Sequence, residues 1–244
     1  MRAAVQISRS SVQRILREEP KRQRPMRPGM VPPEGAVPNH LHVPKKINKV
    51  WHVDLLEYRF LWFRFNVIGV IDGFSRKLLR LKINNGTAKT NDVLKVVQAA
   101  INSYGKPRFV ITDHGNQFNN AFISKLENIT VVKGKVRQPS FNGKIERLFK
   151  TLRIWIRRAL LPISMPALQL RFDQFQVWYN EHRSHAALDG RTPNEVWHGV
   201  ELQAPIPIRQ TERCEVNVDV RTQRFRGDPY MPIVSVRITR KEAA

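Results

Sequence analysis

VWHVDLLEY (50–58), FLWFRFNVIGVID (60–72) and RKLLRLKIN (76–84) are three runs rich in β-branched and aromatic residues, separated by short breaks. The second ends in Asp72-Gly73, a strong turn signal between strands. The spacing predicts an antiparallel meander of three strands. TNDVLKVVQAAINSYG (90–105) then changes period: Val93, Val96, Val97 and Ala100 recur at helical spacing, Thr90 or Asn91 opens the run, and Gly105 closes it. RFVITD (108–113) is again a short apolar strand. A strand reached through a helix requires a crossover, so this one is expected to pair in parallel.

Downstream the alternation continues, with NNAFISKLE (119–127) as a short helix and ITVVKG (129–134) as a strand. The fold class is therefore α/β, a mixed sheet flanked by helices. From Gly143 to Leu160 the residues Ile145, Leu148, Phe149, Leu152, Ile156 and Ala159 fall at helical spacing, and Met165 to Arg183 reads as another helix. After Pro205 the texture alternates once more, in CEVNVDV and PIVSVRI, as expected of a small C-terminal β module. Upstream, residues 20 to 45 hold seven of the sixteen prolines, a density that blocks helix and ladder hydrogen bonding alike. Before them ISRSSVQRILREE (7–19) reads as a basic helical arm or as the second helix of a partial helix-turn-helix, with too little chain ahead of it for a full one. The expected organisation is a helical arm at 1–19, a Pro-rich linker at 20–48, a core at 49–200 and the β module at 201–244.

Forty-two Lys and Arg against twenty Asp and Glu leave a formal charge of +22 on 244 residues, of which 41% are apolar. Such a chain buries a sizeable core, so a disordered polycation is excluded. Cys214 is the only cysteine, which rules out an intrachain disulfide and cysteine-rich zinc sites. No apolar run is long enough to cross a bilayer, and the start lacks a secretory signal, so no membrane partner is expected and the chain reads as cytoplasmic. A folded surface this positive favours a polyanion, and nucleic acid comes first because each neutralised phosphate releases counterions.

Three of the scarce acids sit where an α/β fold gathers ligands. Asp54 lies inside the first strand run, Asp113 closes RFVIT, and Glu146 begins the helix after a Gly-containing loop. Adjacent first and fourth strands would set Asp54 beside Asp113 at the carboxyl end of the sheet, within reach of Glu146. Carboxylates so grouped repel one another unless a divalent ion lies between them, and hard oxygen ligands suit Mg²⁺ or Mn²⁺. Two such ions promote an in-line displacement at phosphorus. Lys150, Arg153 and Arg157 follow Glu146 at offsets of four, seven and eleven; with Lys144 and Arg147 they are candidate DNA contacts. By spacing alone Glu146 also fits a salt-bridge partner in a basic field.

VWHVDLLEY, VITDHGNQF (110–118) and SFNGKIERLFKTLR (140–153) resemble the three acidic motifs of the integrase catalytic core shared by retroviral integrases and insertion-sequence transposases. YNEHRSHAALDGRTPNEVW (179–197) is similar to the Tyr-Asn, Arg, His, Leu, Gly, Thr-Pro signature that follows that core in bacterial transposases. The resemblance spans about Lys49 to Gly199. It implies a ribonuclease H-like fold, with Asp54, Asp113 and Glu146 as the catalytic, metal-binding triad. It also implies hydrolysis at transposon DNA ends and transfer of the freed 3'-hydroxyl into target DNA, by a multimer assembled on DNA. Thirty-two residues separate Asp113 from Glu146, fewer than the family commonly shows, so the segment between them is expected to be shortened. The paired His and Cys motif that begins a retroviral integrase is absent, which turns the resemblance toward insertion sequences.

Other residues read more simply. Asp72 is expected to serve the turn, not a metal. His52 and His114 neighbour the proposed ligands and are expected to be structural, and Asn116 and Gln117 to brace a loop. The segment GKVRQPSFNGK (134–144) is expected to be a loop that orders on DNA. Arg183, His182 and His185 are candidates to approach DNA, though the Asp189-Gly190 turn and the Thr192-Pro193 helix start point to a mainly architectural role. Two alternatives remain: a catalytically inactive DNA-binding remnant of a transposase, and a ribonuclease H-like nuclease acting on hybrids.

Overall fold

The computed structural model describes residues 41, 43–60, 63–134, 142–158, 164–201 and 216–240. The expected arm at 1–19, most of the Pro-rich linker, and residues 135–141 of the expected DNA-ordered loop lie outside the described residues. Five strands form one sheet in the order β3-β2-β1-β4-β5. They are β1 (Val50–Phe60), β2 (Phe63–Asp72), β3 (Leu78–Asn85), β4 (Phe109–Thr112) and β5 (Thr130–Lys133). The first three make the expected antiparallel meander, while β4 joins β1 and β5 joins β4 in parallel.

Side-chain alternation sorts the sheet into two buried faces. From β1 and β2, Trp51, Val53, Ile68 and Val70 point to one face, where they meet Val93, Val96 and Val97 of helix α1 (Thr90–Tyr104) and Phe122 of the short helix α2 (Asn120–Ser124). Leu56, Val67 and Ile71 point to the other face. There they meet Ile145, Phe149 and Leu152 of α3 (Gly143–Arg158), while Phe172 and Phe175 of α4 (Met165–Glu181) complete the cluster. Both faces of the mixed sheet are thus covered, as its nearly continuous apolar runs require.

The edge strand β3 needs its outer hydrogen-bonding groups covered, and side-chain amides of α4 do this. Asn180 accepts from Leu78 N–H (2.8 Å) and donates to Leu78 O (2.9 Å). Gln169 pairs in the same way with Ile83 N–H (2.9 Å) and Leu81 O (3.0 Å). A fifth helix, α5 (Pro193–Trp197), starts on a capping box in which Thr192 Oγ1 accepts from Glu195 N–H and Glu195 accepts from Thr192 N–H. The expected Thr192-Pro193 start is therefore a real helix cap.

Near the C-terminus β6 (Val216–Arg224) and β7 (Pro232–Arg240) form a two-stranded antiparallel sheet. The turn between them docks on the α3/α4 face. Met231 is fully buried there, and Asp228 accepts from Trp155 Nε1 (3.1 Å) and pairs with Arg171 (2.7 Å). Among the described residues no helix is long and apolar enough to cross a membrane.

Candidate active site

Asp54 lies in the middle of β1, on the face that α3 covers, between the inward-pointing His52 and Leu56. The parallel register pairs Val50 with Phe109, Trp51 with Val110 and His52 with Ile111. Continued by two residues, it sets Asp54 opposite Asp113, which follows the last residue of β4. Adjacent strands run about 4.8 Å apart, so the two carboxylates are neighbours. Asp113 is held by its own turn, with Oδ1 accepting from Gly115 N–H (2.9 Å). Asp54 Oδ1 accepts from Leu55 N–H (2.8 Å).

Glu146 occupies the first turn of α3 and is exposed. What brings it toward Asp54 is a residue that the sequence reading passed over. Gly69 of β2 pairs with Asp54, and a Cβ there would stand 3.0 Å and 3.1 Å from the ring of Phe149 and 3.6 Å from Ile145 Cδ1. The bare backbone lets α3 sit close against the sheet beside the acids. A glycine inside a strand run signals such an approach, and the signal was present in VIGVI.

Asp54 lies within the electrostatic range of both other acids. Burial pushes the Asp54 carboxyl up to about 7; the Leu55 N–H opposes this, the charges of Asp113 and Glu146 add to it, and Arg153 opposes it. Among the described residues no three His, Cys, Asp or Glu side chains already stand within metal-ligating reach of one another. The three acids share a field rather than a closed cage.

The basic residues of α3 divide. Lys150, Arg153 and Arg157 line its exposed side with Glu146. Arg147 is also exposed, but it lies within electrostatic range of Arg76 and Arg183. Lys144 is half-buried, and burial together with Arg76 lowers its ammonium to about 7 against the pull of Asp72. It faces the turn after β2 and not the exposed stripe. Asp72 is buried in that turn: Oδ1 accepts from Asn48 N–H (3.0 Å), and Oδ2 accepts from Phe74 N–H, Ser75 N–H and Ser75 Oγ. Its oxygens are occupied, as the turn reading expects. His52 is buried within the sheet and His114 is exposed.

The integrase core domain family model matches residues 41–159, and a second integrase core domain model matches residues 127–193. The chain carries an integrase core domain. Over 185 residues it is 25% identical to a probable transposase for insertion sequence element IS1353 of Shigella flexneri, an alignment covering 70% of this chain and 35% of that protein. The chain therefore spans about a third of that relative's length. Solved structures agree on the fold. One is a simian T-cell lymphotropic virus intasome (TM-score 0.53, 16% identity, covering 73% of this chain and 64% of that one). Another is the HTLV-2 integrase catalytic core domain in complex with magnesium, trimeric form (TM-score 0.50, 17% identity, covering 63% of this chain and 99% of that one). The integrase core here is thus a ribonuclease H-like mixed sheet flanked by helices, and its three sequence-predicted acids lie on β1, after β4 and on α3.

Proposed function

We propose that this integrase core is a DNA transposase that hydrolyses the ends of a mobile element and joins the freed 3'-hydroxyl to target DNA. The observation that carries this reading is the β1/β4 register, which sets Asp54 opposite Asp113 beside the helix bearing Glu146. The donor set fits a hard divalent cation, Mg²⁺ or Mn²⁺. All three groups are carboxylates, and Asp54 is half-buried without a salt-bridge partner among the described residues while facing two like charges. Bound there, two such ions supply Lewis-acid charge at both the attacking and the leaving positions of an in-line displacement at phosphorus. Asp54 and Asp113 give that charge a fixed floor, and Glu146 closes over it from an exposed side chain. Lys150, Arg153 and Arg157 hold the DNA backbone along α3, with Arg147 and Lys144 beside them. The net charge of +22 makes this binding steeply salt-dependent.

Joining two ends requires more than one site, so the reading includes a multimer on DNA, which sedimentation of complexes with paired ends checks. The deciding experiment uses duplexes taken from the DNA bordering the reading frame. The wild type is expected to nick and join them in Mg²⁺ or Mn²⁺. Asp113→Asn and Glu146→Gln are expected to lose joining and keep binding. Unchanged joining in Asp113→Asn refutes the triad. Tight binding without joining by the wild type leaves the inactive remnant. Cleavage of RNA in hybrids in preference to element ends would select the nuclease.

A further inference from the structure

The end of α4 and the segment after it contain residues of two kinds. Asn180, Thr192 and Glu195 have their polar groups paired within the fold. Arg183 and His185, which lie between them, do not. Arg183 Nε and His185 Nε2 are buried without a hydrogen-bond partner, and so is Nη1 of Arg76 from the turn after β2. Each is held in place by its surroundings. Arg183 lies over the ring of Trp178 (5.7 Å), and its N–H donates to Trp178 O (3.1 Å). The ring of His185 stands edge-on to Tyr179 (5.0 Å), and its backbone N–H donates to Arg191 O (3.1 Å). Arg76 takes a left-handed backbone (φ 62°) while its N–H donates to Asp72 O (3.0 Å).

These groups lie within one another's field. Burial lowers the guanidinium of Arg183, and Arg147 adds to this. Burial also lowers that of Arg76, again with Arg147 adding to it. His185 is pushed down to about 3 by burial, then by Arg183, Arg76 and Arg147. The carboxylate within range of Arg76 is Asp72, whose two oxygens already accept from Asn48, Phe74 and Ser75. The Tyr179 phenol keeps its proton, raised to about 12 by burial. Two buried guanidinium N–H groups without acceptors, from two distant segments, with an unpartnered imidazole nitrogen and a further cation beside them, are costly unless an anion completes them.

We infer that Arg76, Arg183 and His185, with Arg147 at the rim, form a seat for a backbone phosphate of the DNA strand engaged by the acids. This rests on the reading of the core as DNA-acting. Guanidinium forks and an imidazole N–H suit a tetrahedral oxyanion, and Arg147 opens the seat to solvent from the helix that bears Glu146. Along the sheet Asp72 pairs with Trp51 and Gly69 with Asp54, so the turn carrying Arg76 begins about 10 Å from the acids at about 3.3 Å per residue. That reach makes the occupant a backbone phosphate close to the reacting one, within a few nucleotides along the strand.

The test measures binding of a labelled DNA duplex by anisotropy over a range of salt, for the full chain and for Arg76→Gln, Arg183→Gln and Lys125→Gln. Lys125 is exposed at the end of α2 and serves as the control. Each site variant is expected to lose affinity about tenfold and to flatten the log affinity against log salt slope by about one, while the control stays within about twofold. Unchanged slopes in both site variants, with the wild type binding, overturn the seat. A wild type that does not bind DNA overturns the DNA reading itself. Should Arg183→Gln fail to fold, the imidazole of His185 is followed by NMR in the unmutated protein, with duplex and with inorganic phosphate alone. Duplex is expected to move its titration upward. A response to phosphate with none to duplex, or no response to either, rejects the proposal.

Discussion

Replacing Gly69 by alanine tests how α3 is held against the sheet. The new methyl would meet Phe149 Cε1 at 3.0 Å and Cζ at 3.1 Å, where carbon atoms ordinarily rest at about 3.5–4.0 Å. The ring must give by about 0.5 Å, yet Phe149 and Ile145 are buried in the core shared with Leu152 and Phe172. Overpacking of this kind costs about 1–3 kcal/mol, while the stiffer unfolded chain returns about 0.4–1 kcal/mol, since Gly69 does not need a left-handed backbone. The net expectation is a loss of about 1–2 kcal/mol in urea unfolding followed by tryptophan fluorescence. Phe149→Leu removes the ring edge, so in that background the Gly69→Ala change is expected to be neutral or stabilising. A cycle with no coupling, or a Gly69→Ala protein as stable as the wild type, would refute the packing argument. Because Glu146 follows Ile145 directly, the same displacement is expected to lower DNA joining by up to about 100-fold per ångström moved, with duplex binding little changed.

Asp228→Ala removes the acceptor shared by Trp155 Nε1, Arg171 and Tyr230 N–H, and is expected to cost about 3 kcal/mol in denaturant unfolding. A loss below about 1 kcal/mol would mean that Met231 alone anchors the hairpin. Asn180→Ala strips both backbone groups of Leu78 of their partner; about 2 kcal/mol of stability and the exchange protection of the Leu78 amide are expected to go with it. His185, lowered from 6.5 to about 3, takes up its proton in the unfolded chain first, so stability should fall as the pH drops from about 6.5 toward 3. His185→Gln is expected to remove up to about 1.4 kcal/mol per pH unit of that slope, and an unaltered slope would place the titration elsewhere.

The fold was legible because its information is local. The nearly continuous apolar runs in 50–84 leave both sides of the strands apolar, the helical period in 90–105 gives that helix one apolar side, and a sheet with two apolar faces has to be covered on both. The crossover after β3 then leaves β4 to pair in parallel, which brings Asp54 and Asp113 into line. Asp72 was assigned to its turn for a similar reason, since the partners of its carboxylate include Phe74 and Ser75, two and three residues away.

What the sequence determined by itself is therefore the α/β core and the order of its elements, with three acids marked as candidates. Tertiary structure alone decided how closely α3 approaches, because the empty space at Gly69 is filled by a ring from Phe149 on another element. It also decided that Asn180 closes the edge at Leu78, 102 residues away, and that Asp228 locks the hairpin to Trp155, 73 residues away. The unsatisfied donors of Arg76, Arg183 and His185 belong to the same class. Whether a polar atom has a partner depends on what the folded chain places beside it, and neighbours in sequence carry no record of that.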